Sequence, residues 1–321
     1  MKQSVFEKNF YQLDPQAVMS AAEKAGFEPT GEFTQLNSYE NRVFDLCLEN
    51  GDNIIAKFYR PERWDQNAIQ EEHDFLLALK AEDIHAVAPL FQKDGSTVSL
   101  QEGLWTAFFP KVRGRLPDEF INDDLIRVGR LLARVHMIGA RREATHRPTL
   151  DTGHYGGWAT LDHMEPVIVP ELRHRYFEAA ERILAAADDT LDPDDFQRIH
   201  GDCHRGNLLS TGKDFFLVDF DDFLNGPVIH DFWMLLSGDE EAFEDEQNML
   251  LEGYEELMEF PHHQWEWIPI LRGMRIIRYS GWIADRWKDP SFPRLFPDFG
   301  LYPYWAKEVE ALEKIAWSLP E

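Results

Sequence analysis

The chain has 321 residues, 44% hydrophobic and 28% charged, a balance that excludes a disordered polymer and leaves room for two lobes, each with its own core. Its 58 acidic residues against 32 basic ones give a formal charge of -26, and that field argues against nucleic acid or an anionic membrane surface as a partner. Two cysteines, Cys47 and Cys203, with no metal-ligand spacing, and no apolar run long enough for a bilayer leave a soluble, cytoplasmic protein as the expectation.

Asp14-Pro15 ahead of Val18, Met19 and Ala22, with Gly26 beyond them, predicts a short leading helix with an acidic N-cap and a terminating glycine. Two β-rich runs, 42–48 and 53–59, flank Asn50-Gly51-Asp52 as a hairpin, and Arg60-Pro61 ends the second strand. From Asn67 to Leu79 the apolar positions fall at helical spacing with Glu71 and Glu72 between them. Strands are expected at 87–91, 97–100 and 104–109, and the segment 110–114 (Pro-Lys-Val-Arg-Gly) reads as a link between lobes. Beyond it helices are expected at 125–138, 171–187 and 239–259, followed by a Trp- and Arg-rich stretch at 265–287. Short strands at 197–199 and 215–218 interrupt this helical half.

The most informative segment is His-Gly-Asp-Cys-His-Arg-Gly-Asn at 200–207, followed by a hydrophobic run that ends in Asp219. Phosphoryl transfer needs a carboxylate that orients the acceptor and oxygen ligands that hold magnesium against the β- and γ-phosphates. Asp202, Asn207 and Asp219 supply those roles in chain order, and a strand ending at 218 would deliver Asp219 beside the 202–207 loop. ATP is itself an anion, so its site must overcome the global field with local cations, N–H groups and metal. Ile54-Ile55-Ala56-Lys57 places a lysine on an apolar strand, where it needs a partner. The following helix offers Glu71 or Glu72, and Glu72 is preferred because Leu76 and Leu79 lie four and seven residues on.

That order resembles the aminoglycoside and choline kinase superfamily, which is related to eukaryotic-type protein kinases. The strings LNSYENRVF (36–44), KFYRPERW (57–64), HGDCHRGN (200–207) and DDFLNGP (221–227) resemble the bacterial stress response kinase A family, Ser/Thr protein kinases of this fold, over about residues 14–305. The resemblance implies an α/β (α+β) two-lobed protein-kinase-like fold, with a β-rich nucleotide-binding lobe at 1–109, a hinge at 110–114, a mainly helical catalytic and substrate lobe at 115–321, and ATP in the cleft between the lobes. It further implies Asp202 as proton acceptor, Asn207 and Asp219 as Mg2+ ligands, Lys57 on the phosphates with Glu72, and Ser38 in the loop over the nucleotide.

Three departures accompany it. No GxGxxG precedes Lys57, so residues 36–41 must cover ATP, Asp221 stands where the glycine of a DFG motif would be, and no APE-like segment follows. Taken singly, Ser38 can equally close a turn, Lys57 can be a strand-end lysine, and His200 with Asp202 and His204 can be read as zinc ligands, although that reading leaves Asn207 and Lys57 unused. His200 and Asp231 read as structural, Asp231 tying the catalytic loop to a helix. The acidic run at 239–246 reads as a solvated face, and Arg272, Arg275 and Arg278 as partners for it or as a groove lining with Tyr279 and Trp282. The leading functional expectation is an ATP- and Mg2+-dependent Ser/Thr protein kinase that can also take itself as substrate. The alternatives are a kinase for a small hydroxylated molecule (aminoglycoside, choline or homoserine-like) and a nucleotide-binding scaffold, and the intact Asp202, Asn207 and Asp219 set argues against the scaffold.

Overall fold

In the structure, a computed structural model that describes residues 10–11, 13–117, 119–121, 123–236 and 240–320, helix α1 (Pro15–Ala25) starts as its sequence dictates. The Asp14 carboxylate accepts from the Ala17 N–H at 2.8 Å, and Gly26, at φ 100°, closes the helix in the left-handed region. Five strands follow: β1 (Pro29–Leu36), β2 (Arg42–Leu48), β3 (Asn53–Phe58), β4 (Val98–Gln101) and β5 (Leu104–Pro110). They form one antiparallel sheet in the order β1-β2-β3-β5-β4. Alternation decides what each face does. Ile54, Ala56 and Phe58 of β3 join Val18, Ala21 and Ala22 of α1 in a core with Phe44, Leu46 and Phe108, so Lys57 is turned to the opposite face.

One strand was not expected, and one expectation needs correction. Strand β1 carries no apolar alternation because nearly all of it is exposed at the sheet edge, so nothing in its residues announces it. Residues 87–91 form no strand: Pro89 lacks an N–H, and the segment is held instead by an Ala86–Leu217 bridge and a Leu90 N–H bond to the Phe108 carbonyl.

The chain divides into two units. The first unit, Met1–Arg147 with Asp202–Phe223 and Ser237–Met258, holds the sheet, helix α2 (Gln66–Ala81), helix α3 (Asp124–Gly139) and a small hairpin. The hairpin strands are β7 (Leu208–Ser210) and β8 (Phe215–Leu217). It also contains helix α7 (Glu240–Glu255), the acidic helix expected from 239; Asp239 lies outside the described residues. A Cβ on Gly129 of α3 would fall 2.1 Å from the Leu250 carbonyl oxygen, so glycine is what lets α3 and α7 touch backbone to backbone.

The second unit is Pro148–Gly201 with Leu224–Leu236 and Glu259–Glu321. It pairs β6 (Gln197–Ile199) with β9 (Leu224–Gly226) and is otherwise helical: α4 (Trp158–Met164), α5 (Arg173–Thr190), α6 (Ile229–Trp233), α8 (Ile268–Asp285), α9 (Phe292–Leu295) and α10 (Tyr302–Ala316). Trp305 of α10 is fully buried and meets Tyr176 of α5 edge-on at 5.6 Å. Arg272 and Arg278 of α8 lie over the rings of Trp233 and Tyr155. A β-rich first part and a mainly helical remainder make this an α+β, kinase-like fold. No helix among the described residues is long and apolar enough to cross a membrane.

Candidate active site

Lys57 is buried at 6% exposure on β3, and charge must come to it. Its Nζ lies 3.0 Å from Asp221, 3.4 Å from Asp219 and 3.6 Å from Glu72, and 4.7 Å from the Tyr59 ring centre. Burial pulls the ammonium down, but the Asp221 and Glu72 carboxylates hold it well above the ordinary lysine range, so Lys57 stays charged.

Glu72 reaches the lysine because it sits inside the buried stripe of α2, between Ile69 and Leu76. Glu71 turns elsewhere and accepts the backbone N–H groups of Thr145 and His146 at 2.7 Å each. The α2 start is fixed by Asp65, which accepts from Ala68 N–H at 2.8 Å. Beneath the lysine, the Tyr59 hydroxyl meets His73, whose other nitrogen meets Thr97. Burial, with Lys57 and Arg147 nearby, lowers the His73 pKa to about 3, so this imidazole is neutral.

Two carboxylates in one buried cluster behave oppositely. Glu72 is raised to about 7, by burial first, against the attraction of Lys57. Burial also works against Asp221, but Arg63 and Lys57 overcome it and lower Asp221 to about 2. An acid whose folded pKa lies above its unfolded value of roughly 4.3 contributes stability below that value, and the contribution is lost as pH rises through about 7. Glu72→Gln imitates the protonated acid, so it should gain stability relative to the wild type between about pH 5 and pH 8. Denaturant unfolding of both proteins across that interval is the check, and a difference that stays constant with pH would contradict it.

The loop between β1 and β2 is held by arginine. Arg60 donates to the carbonyls of Tyr39 and Glu40, its backbone N–H donates to Asn41 Oδ1 at 3.1 Å, and Asn41 Nδ2 donates to Asp221 at 3.2 Å. Ser38 Oγ accepts the Asn41 N–H at 3.2 Å, closing the turn that the sequence allows for it.

The 202–207 segment builds its own support. Asn207 Nδ2 donates to the Asp202 carbonyl at 2.9 Å and faces its carboxylate at 3.4 Å, which turns the amide oxygen the other way. His204 Nδ1 accepts the Gly206 N–H at 2.9 Å, so Nε2 carries the proton and faces Asp202 at 3.4 Å. A Cβ at 206 would stand 2.7 Å from the His204 ring, so a larger residue there would have to displace that imidazole. The Val218 N–H donates to the Asn207 carbonyl at 3.0 Å, and the next residue is Asp219. Asp219 adopts φ 60° and ψ 65°, a left-handed conformation that costs a non-glycine residue about 1–2 kcal/mol, and its carboxylate is half-exposed. Backbone conformations of this kind concentrate at active sites and ligand clamps.

The Asn207 amide and the Asp219 carboxylate offer oxygen donors of the kind a hard divalent cation takes together with phosphate and water. No group of three or more His, Cys, Asp or Glu side chains among the described residues is arranged to hold a metal, so the zinc reading of 200–204 finds no ligand set. In the second unit, the buried Asp231 carboxylate accepts the His200 and Gly201 N–H groups at 2.7 and 2.9 Å, just before the loop reaches Asp202. Asp231→Ala would remove the carboxylate that accepts two buried N–H groups and should cost about 3 kcal/mol of stability, read from denaturant unfolding. A loss within about 0.5 kcal/mol would contradict the anchoring role.

The residues that sequence reasoning did not assign to the site are Arg63 and Arg147; Asn41 was placed in the 36–41 loop, but neither its bond to Asp221 nor the burial of Asp221 was expected. Arg63 pairs with Asp221 and with Asp222, the latter at 2.8 Å. Arg147 stacks 3.8 Å from the Trp64 ring and donates to the Phe223 and Asp221 carbonyls. The string KFYRPERW contains Arg63 and Trp64, and the second acid of DFDD is Asp221, so the signal was present without its geometry.

The model of the phosphotransferase enzyme family matches residues 32–267. The chain belongs to that family. Stress response kinase A of Escherichia coli (strain K12) is 35% identical over 323 residues, covering 100% of this chain and 97% of that protein. Serine/threonine protein kinase RdoA of Salmonella typhimurium is 36% identical over 302 residues, covering 94% and 92%. Among solved structures, amicoumacin kinase hAmiN with AMP-PNP and Ca2+ aligns at a TM-score of 0.76 over 96% of this chain and 94% of that one, at 19% identity. A microcompartment-associated aminopropanol kinase aligns at 0.70, also at 19% identity, over 94% and 95%. This phosphotransferase is an ATP-dependent kinase with the aminoglycoside and choline kinase-like fold.

Proposed function

We propose that this kinase transfers the γ-phosphoryl group of ATP to Ser or Thr hydroxyls of a polypeptide, its own chain included. Asp202 takes the acceptor's proton as its oxygen attacks phosphorus, and ADP departs. Asn207 and Asp219 hold Mg2+, which supplies charge neutralisation on the phosphates when bound. Lys57 neutralises and orients the phosphates, Ser38 lies in the loop that covers the nucleotide, and the hinge between the lobes falls at 110–114. The observation that carries this reading is the convergence of Lys57 on Asp219, with Asp219 joined through Val218 to Asn207 and from there to Asp202.

A protein acceptor is supported by the name of the 36% identical Salmonella relative, whereas the solved neighbours named for small molecules share 19% identity and inform on fold alone. A cytoplasmic setting belongs to the same reading. Phosphopeptide mapping after reaction with a general protein substrate, beside a panel of small alcohols, tests the acceptor. Phosphate on Ser or Thr is expected; phosphate on a small alcohol alone would favour the small-molecule alternative.

A further inference from the structure

We propose that Asp221, and not Glu72, is the positioning carboxylate for the phosphate-binding lysine. The inference rests on the reading of Lys57 given under Proposed function and assigns the lysine a different anchor from the one expected by order along the chain.

Three segments meet on this one side chain. Asp221 Oδ1 lies 3.0 Å from Lys57 Nζ, closer than Glu72 at 3.6 Å, while Oδ2 takes the Arg63 guanidinium and the Asn41 amide. Strand β3, the arginine segment after it, and the loop at 38–41 are therefore fastened together at a single buried carboxylate. The backbone beneath it is fixed as well, because Arg147, packed between Trp64 and Phe223, donates to the Asp221 carbonyl. The second arm of Glu72 is a single longer ion pair, Oε2 to Arg147 at 3.9 Å.

A lysine ammonium is a point charge on a flexible stem, so its position is set by whatever holds it. Misplacing such a group by about 1 Å can cost on the order of a hundredfold in rate. A glycine at 221 would provide no carboxylate; this chain has placed one there, two residues after the strained Asp219.

The test is kcat/KM for ATP in Asp221→Asn, Glu72→Gln, Lys57→Met and the Lys57→Met, Asp221→Asn double variant. Asp221→Asn should lose at least about tenfold, and Glu72→Gln should lose less. Because Asp221 acts through Lys57, the double variant should match Lys57→Met to within about twofold. Losses that multiply, or a Glu72→Gln loss exceeding that of Asp221→Asn, would overturn the inference. If Asp221→Asn does not fold because buried Arg63 loses one of its acids, Arg63→Gln, Asp221→Asn removes both charges, and the same cycle with Lys57→Met is run on that background. Full activity of Lys57→Met would defeat the reading of Lys57 itself. An inactive Lys57→Met beside a fully active Asp221→Asn would defeat this inference alone.

Discussion

Asp202→Asn is expected to lower turnover by about a thousandfold, within the range of roughly 10²–10⁴ that a positioned general base contributes. The amide keeps the shape of the side chain and leaves the Asn207 Nδ2 bond to the Asp202 backbone carbonyl untouched. Folding and nucleotide affinity should therefore survive while proton acceptance is lost. The variant separates chemistry from binding because the carboxylate cluster around Lys57 does not include Asp202. Steady-state turnover, nucleotide calorimetry and a thermal melt, taken together, read the three quantities. Turnover within a few-fold of wild type would remove Asp202 from the mechanism.

The second large effect is expected at Asp219, where the choice of substitution matters. Asp219→Ala would combine loss of a metal ligand with a left-handed conformation that alanine tolerates poorly, at about 1–2 kcal/mol. Asp219→Asn keeps a residue that tolerates this region and removes only the charge. It should weaken Mg2+-dependent ATP binding by at least about tenfold, since the proposed site would keep two oxygen donors but lose the one negative charge they carry. Calorimetry with and without Mg2+ is the measurement, and metal dependence equal to wild type would move the metal elsewhere. The extra instability of Asp219→Ala over Asp219→Asn would measure the backbone strain.

Much of this site was legible because its parts lie on elements with clear periodicity. Lys57 follows Ile54, Ile55 and Ala56 on a strand whose alternation sends it away from the α1 core, and Glu72 falls in the apolar stripe of α2, which is why it and not Glu71 reaches the lysine. The Asp231 anchor was also expected, and its carboxylate meets the two N–H groups that lead into the catalytic loop. The exposed edge strand β1 offered no apolar pattern, and helix α10, entered from Leu301 without a side-chain cap, was not anticipated. The apolar run at 87–91 looked like a strand because its composition outweighed Pro89. The partners of Asp221 were illegible for a different reason. They come from segments far apart in sequence, and no local periodicity reports that Lys57, Arg63 and Asn41 will meet on one carboxylate.

A crystal structure of the wild-type protein with a non-hydrolysable ATP analogue and Mn2+, with the metal placed by its anomalous signal, tests the proposed centre most directly. The metal should lie at roughly 2.1 Å, the octahedral Mg2+-like distance, from an Asn207 amide oxygen and an Asp219 carboxylate oxygen. The Lys57 ammonium should contact the phosphates, and Asp202 should face the γ-phosphate without ligating the metal. A metal bound away from Asn207 and Asp219, or phosphates out of reach of Lys57, would contradict it.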